Sequence, residues 1–280
     1  MGFTGGTPVP RESLVTEDHM RRLLYFSIIT LVGCAPLKPS PPKLPVGQTR
    51  TVDQLVIHSD FPLPEQHRML DELRALRGQV SRRLELPLTE EPIHVYLFKS
   101  GSRYRAFLKK HFPDYPMRRA FFVETDTRLE VYAHWGDHVA EDLRHEVCHG
   151  YLHAAVGHLP LWLDEGLAEY FEVSPGRDGI NGRHVRLLNE KLRDGWRPDL
   201  ARLESLDAPE SMRQLDYAES WAWVHLLLET SGPRRAALHA YLDSLRRRER
   251  ADVLSESLGE LSFDPARDLV EHIRALDVRR

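Results

Sequence analysis

The spacing of hydrophobic residues divides the chain after residue 52 into strand-like and helix-like segments, and then into helices alone. Short runs rich in β-branched and aromatic residues predict strands, whereas apolar residues three or four positions apart predict amphipathic helices. The predicted strands are 55–58, 93–98, 120–124 and 129–134. The predicted helices are 64–84, 102–111, 141–156, 162–172, 183–194, 217–230, 234–247, 251–259 and 264–276. This order predicts an α+β fold, in which a small mixed sheet with helices (52–135) is followed by a mainly helical lobe (136–280).

The helix predicted at 141–156 contains the sequence His145-Glu146-Val147-Cys148-His149. Residues four apart lie on one face of a helix, so the two imidazoles point the same way and can bind one metal ion. Glu146 directly follows the first histidine and can reach a water bound to that ion. The pattern therefore predicts two zinc ligands, His145 and His149, with Glu146 as the general base of a hydrolytic site.

A third ligand is expected from the short helix 162–172, in which Glu165 follows His149 after a fifteen-residue spacer (150–164). Glu165 is the best candidate and Glu169, one turn further on, is its competitor. One of these carboxylates should bind zinc, while the other should accept a hydrogen bond from a ligand histidine. His153 is a poorer candidate, because eight residues of helix separate it from His145 by about 12 Å.

The chain resembles the gluzincins, a family of thermolysin-like zinc peptidases. It is most similar to the peptidase-MA-like domains of bacterial envelope proteins. The resemblance rests on the motif 145–149, on Trp162-Leu163-Asp164-Glu165-Gly166-Leu167-Ala168-Glu169-Tyr170, and on Tyr217-Ala218-Glu219-Ser220-Trp221. It covers roughly residues 52–245. Two departures are the short spacer before Glu165 and an aspartate, Asp164, where these families often have asparagine.

The resemblance implies a thermolysin-like zinc site at the junction of the two lobes. Glu165 would be the third ligand, Glu169 would orient a ligand histidine, and Tyr217 would stabilise the oxyanion. The strand 129–134 would form the sheet edge that faces the cleft, where an extended peptide could add as a further strand.

The N-terminal region has the features of a secretory signal. Met20-Arg21-Arg22 precedes an eleven-residue apolar run (23–33) and then Cys34, which predicts a signal peptide over residues 20–33. The sequence before Cys34 also resembles a bacterial lipoprotein box, which implies a lipidated cysteine and, with Ala35 after it, the periplasmic face of the outer membrane. Residues 34–51 contain five prolines and are predicted to be a stiff tether. Residues 1–19 are interpreted as an upstream extension, with Met20 as the start.

Composition excludes several classes of protein. With 280 residues, 41% hydrophobic and 29% charged, the chain is long enough to bury a substantial core. A net charge of −4 argues against a nucleic-acid partner.

The zinc motif and the resemblance together predict zinc-dependent hydrolysis of peptide bonds in the bacterial cell envelope, with a peptide or protein as substrate. Two alternatives stay open: a catalytically inactive peptidase-like binding module, and a zinc amidase acting on a cell-wall component.

Overall fold

A computed structural model describes residues 43–249 and 253–276, which are arranged around a five-stranded sheet. The strands are β1 (Gln48–Val52), β2 (Leu55–Ser59), β3 (Ile93–Phe98), β4 (Ala120–Thr125) and β5 (Arg128–His134). They lie in the order β1-β2-β3-β5-β4. The β2–β3 and β3–β5 pairs are parallel, whereas β1 and β4 pair antiparallel with β2 and β5. The predicted signal peptide, Cys34 and the proline-rich part of the tether lie outside the described residues.

Helices make up most of the remaining described structure. They are α1 (Arg68–Leu84), α2 (Gly101–His111), α3 (Val139–Val156), α4 (Leu161–Phe171), α5 (Gly182–Arg193), α6 (Leu200–Glu204), α7 (Gln214–Glu229), α8 (Gly232–Arg246), α9 (Leu254–Leu261) and α10 (Pro265–Ala275). The predicted α+β class with a mixed sheet is confirmed. None of the helices described is long and apolar enough to cross a membrane.

The two faces of the sheet pack against different helices, because side chains alternate along each strand. On β3, Ile93, Val95 and Leu97 are fully buried in the main core, which also contains the apolar faces of α1 and α3. Phe98 points to the opposite face and belongs to a smaller aromatic cluster with Tyr104 of α2. The sheet therefore supports α3, the helix that carries the His-Glu-x-x-His sequence, on its more deeply buried face.

The edge of the sheet differs from the prediction. The strand 129–134 is interior, since β5 lies between β3 and β4. The expectation that it forms the edge is wrong, because β4 turns back at Thr125 and pairs antiparallel along β5 over Ala120–Thr125. The edge strand on this side of the sheet is thus β4.

Several element boundaries also differ from the prediction. The tether was expected to reach residue 51, but β1 begins at Gln48. Helix α1 begins at Arg68 rather than Pro64, because the His67 side chain accepts a hydrogen bond from the backbone N–H of Met69 and caps the helix. The short helix α6 was not predicted, and Asp199 caps it in the same manner.

Helix α4 lies unusually close to α7, and Gly166 permits this approach. A β-carbon at this position would lie 2.7 Å from the carbonyl oxygen of Ser220 and 2.9 Å from a methyl group of Val224. These distances are shorter than a carbon atom tolerates, and the Ser220 contact is with rigid backbone. The absence of a side chain at 166 therefore allows the part of α4 that carries Glu165 to pack closely against α7.

We predict that Gly166→Ala destabilises the protein by about 1–3 kcal/mol, because the added methyl group must push α4 away from α7. Gly259→Ala is a matched control, since nothing lies within 4 Å of a β-carbon at this exposed position of α9. That change should raise stability by up to about 1 kcal/mol through helix propensity. Urea unfolding of both variants measures the two effects, and equal stability of the two would contradict this account of the helix packing.

Candidate metal centre

Helices α3 and α4 bring together the three side chains predicted as ligands. The Nε2 atoms of His145 and His149 are 3.2 Å apart. Oε2 of Glu165 lies 3.5 Å from Nε2 of His145 and 3.8 Å from Nε2 of His149. Both His149 and Glu165 are buried. The three atoms thus form a small triangle at the base of a cleft, a group that could hold a metal ion.

The outer nitrogens of both imidazoles face carboxylates. Nδ1 of His145 lies 3.0 Å from Oε2 of Glu172, and Nδ1 of His149 lies 2.9 Å from Oδ1 of Asp164. With a hydrogen on each Nδ1, which faces a carboxylate, each Nε2 could offer its lone pair to a cation at the centre of the triangle.

This arrangement fits a bound cation. Two imidazole nitrogens and a carboxylate oxygen face one another across less than 4 Å. Oε2 of Glu165 is buried and accepts no hydrogen bond from the described residues. An unpaired buried carboxylate oxygen carries a large desolvation penalty, which a metal ion would remove. The residues present are therefore suited to hold a metal ion, with a carboxylate behind each histidine.

Glu169 does not have the predicted position behind a ligand histidine. Its Oε2 accepts a hydrogen bond from Nε2 of His184 at 2.7 Å, and the carboxylate that contacts His145 belongs to Glu172. The reason is the direction in which α4 crosses α3. Glu169 faces α5, whereas Glu172, which directly follows the last residue of α4, reaches His145. Burial alone would raise the pKa of Glu169, but the hydrogen bond from His184 holds this pKa well below its ordinary value.

Asp164 was noted in the sequence only as a departure from the family, yet it joins two histidines. Its second oxygen lies 3.0 Å from Nε2 of His153, whose Nδ1 is 2.6 Å from Glu124 on β4. Burial alone would raise the pKa of Asp164, but His149 and His153 hold it far below its ordinary value. His153 is thus separated from the triangle by a carboxylate, in agreement with its exclusion as a third ligand.

Glu146 is buried beside the triangle. Burial raises the pKa of its carboxyl group, although the neighbouring His145 and His149 oppose this shift. The side chain lines both cavities of the cleft, which meet at this residue. A basic carboxylate in this place can exchange protons with a ligand in the cleft.

Tyr217 lies in the first turn of α7 and faces the same cleft. Its hydroxyl oxygen accepts a hydrogen bond of 3.1 Å from Nη2 of Arg118, a residue of the segment between α2 and β4. Sequence reasoning missed Arg118, because nothing in its local sequence links it to a residue 99 positions away.

The cleft consists of two cavities on either side of the triangle, with volumes of about 660 Å³ and 740 Å³. The first is lined mostly by polar and charged residues, which include His145, Glu169, Glu172, His184 and Tyr217. The second is more apolar and is lined by residues that include Tyr115, Phe122, His149, Leu161 and Met212. Because Arg118 and Glu146 line both, a long ligand could extend to both sides of the metal centre.

Comparison of the sequence with models of known protein families and with curated proteins gives no match.

We predict different effects of the three carboxylates on metal affinity. Glu165→Ala should abolish binding at ordinary metal concentrations, because it removes one corner of the triangle. Glu172→Gln should weaken binding by about 10–100-fold, since an amide accepts the hydrogen bond from Nδ1–H of His145 less strongly than a carboxylate does. Glu169→Gln, the matched control on the same helix, should have a smaller effect. Competition titration with a chromophoric chelator gives the three affinities, and a larger loss for Glu169→Gln than for Glu172→Gln would restore the role predicted from the sequence.

Proposed function

We propose that the protein is a zinc-dependent peptidase of the gluzincin type, which hydrolyses peptide bonds with Glu146 as general base. The observation that carries the proposal is the triangle of His145, His149 and Glu165 beside an open cleft. Ligand atoms bound to zinc at 2.0–2.1 Å in tetrahedral geometry are roughly 3.4 Å apart. The three separations of 3.2, 3.5 and 3.8 Å are close to this value.

The ligand set supports a catalytic ion rather than a structural one. Structural zinc sites have four protein ligands, whereas catalytic sites have three and leave a position for water or substrate. Two histidines and one glutamate form such a set, and the triangle borders two cavities. When bound, zinc would lower the pKa of a coordinated water and polarise the substrate carbonyl.

The roles of the surrounding side chains follow from their positions. A carboxylate oxygen of Glu146 takes the proton of the attacking water and later delivers it to the nitrogen of the leaving amine. Tyr217 donates its phenol proton to the carbonyl oxygen on which negative charge develops. Glu172 and Asp164 hold the two imidazoles in the orientation that the metal requires.

A peptide substrate is favoured by the position of β4. This strand is at the edge of the sheet, and Ala120, Phe121 and Phe122 line the cavities. A strand that pairs on one side only presents backbone donors and acceptors on the other. An extended peptide lying along β4 would use these groups and cross the metal centre.

We predict that the protein lacking residues 1–40, which keeps the compact unit 41–280 whole, binds one zinc ion and cleaves members of a mixed peptide library. Glu146→Gln should keep the zinc and lower kcat by about 10²–10⁴-fold, because general acid–base catalysis is lost. His149→Ala should lose the zinc. Glu260→Gln, at an exposed site on α9, is the control and should match the wild type.

Mass spectrometry of the library products and elemental analysis of each variant give the two measurements. Zinc binding without cleavage of any peptide would favour the inactive binding module. Cleavage of isolated cell-wall fragments but not of peptides would favour the amidase. Equal zinc content in the wild type and His149→Ala would exclude the metal centre itself.

We also infer that the chain is anchored to the bacterial cell envelope through a lipid on Cys34, after removal of residues 20–33. The basic start, short apolar run and following cysteine support this placement. In a bacterial host, the wild type should fractionate with membranes and Cys34→Ser should not. Metabolic labelling with a fatty acid should mark the wild type alone, and label on Cys34→Ser would contradict the anchor site.

A further inference from the structure

Arg118 and Tyr217 form a contact between two walls of the cleft. Arg118 belongs to the segment before β4, and Tyr217 belongs to the first turn of α7. Nη2 of Arg118 donates to the phenol oxygen at 3.1 Å. Arg118 lines both cavities, so the contact lies where they meet, near Glu146.

The charge of Arg118 is not used in an ion pair with any carboxylate in the described part of the chain. The adjacent Arg119 differs, since its Nη2 lies 2.6 Å from Asp142. Glu165 and Glu146 are near enough to Arg118 to interact with it electrostatically, yet its hydrogen bond is to the phenol. Arg118 thus makes its hydrogen bond with Tyr217, while its charge also acts on Glu146 and Glu165.

The chemistry of the two groups fixes the direction of the hydrogen bond. A guanidinium has five N–H donors and no acceptor, so the phenol oxygen must be the acceptor. The hydroxyl proton of Tyr217 is then excluded from the side occupied by Arg118 and remains free to donate elsewhere. Tyr217 shares its cavity with His145 and Glu146, so the free proton is available to a ligand at the metal centre. Burial and the nearby Glu165 raise the pKa of Tyr217, and Arg118 opposes them.

We propose that Arg118 is a positioning residue that acts through Tyr217, directing the phenol proton to the substrate oxygen that gains negative charge during hydrolysis. The inference rests on the proposed peptidase function. Because Arg118 acts through the phenol oxygen, its contribution should vanish when that oxygen is removed. This property distinguishes it from a residue that binds substrate directly or merely stabilises the fold.

A double-mutant cycle tests the inference with a peptide substrate identified from the library. Tyr217→Phe should lower kcat by about 10²-fold or more, the range observed for loss of one oxyanion donor. Arg118→Ala should lower kcat by about tenfold with little change in KM, because the donor remains but is no longer directed. Adding Arg118→Ala to Tyr217→Phe should cause no further loss. Arg118→Lys should recover part of the activity, since an ammonium can also only donate to the phenol.

A second measurement does not depend on turnover. A phosphonate analogue of the peptide carries a tetrahedral anion in place of the scissile amide, and calorimetry measures its Kd. Arg118→Ala should weaken this Kd by about tenfold in the wild-type background and leave it unchanged in the Tyr217→Phe background. Acetohydroxamate, a metal-binding molecule without a tetrahedral centre, should bind all variants equally. Arg267→Ala, an exposed arginine on α10 that pairs with Glu271, is the matched control and should resemble the wild type.

The outcomes separate the inference from the function on which it rests. Equal losses from Arg118→Ala in both backgrounds would overturn the positioning role and indicate direct contact with substrate. Increased activity of Arg118→Ala would also overturn it, since the contact would then be a latch that restricts the cleft. A wild-type protein that neither cleaves peptides nor binds the phosphonate would overturn the peptidase proposal and this inference together.

Discussion

The close approach of three potential ligand atoms is the constraint on which the candidate site depends. His145 Nε2, His149 Nε2 and Glu165 Oε2 face one another within 3.2–3.8 Å in a buried place. A cation between them would attract all three, but the protein must hold the atoms there before the cation arrives. The carboxylates of Glu172 and Asp164 contribute to this. Nδ1 of His145 can donate a hydrogen bond to Glu172, and Nδ1 of His149 lies 2.9 Å from Oδ1 of Asp164, so both rings are held in one orientation. The orientation of the two histidines thus depends on Glu172 and Asp164, the residues that contact them from outside the triangle.

The remainder of the fold fixes the two helices that supply these groups. A β-carbon at Gly150 of α3 would lie 3.0 Å from the side chain of Ile93, so the helix rests closely on β3. Gly166 plays the same part for α4, where it allows contact with the backbone of α7. Glu165 directly precedes Gly166, and His149 directly precedes Gly150. A small displacement of either helix would therefore change the distances among the three potential ligand atoms. The two glycines therefore transmit the packing of the core to the metal centre.

Sequence periodicity was sufficient for the parts of the molecule whose geometry is local. The spacing of His145 and His149 on one helix requires no knowledge of the fold, and β3 was predicted with the observed limits Ile93–Phe98. Strand β1 was missed because Gln-Thr-Arg-Thr-Val has few apolar residues and is recognisable only through its pairing with β2. The contact of Nδ1 of His145 with Glu172 instead of Glu169 was not foreseen for a related reason. Residues 165, 169 and 172 all lie near one face of α4, and only the crossing of α3 and α4 decides which of them contacts the histidine.

The same tertiary arrangement determines the pKa of the Glu146 carboxyl group. Burial and the nearby Glu165 raise its pKa, while the two histidines lower it. A divalent ion would lower this pKa further, whereas the negative charge of Asp164 would offset part of the ion's charge. A general base works best when its pKa is near the working pH. In the proposed site Asp164 would therefore have two effects: it would orient His149, and it would limit how far a bound metal lowers the pKa of Glu146. Replacing Asp164 by asparagine would change both, so metal affinity and proton transfer would be coupled through a residue behind the ligand.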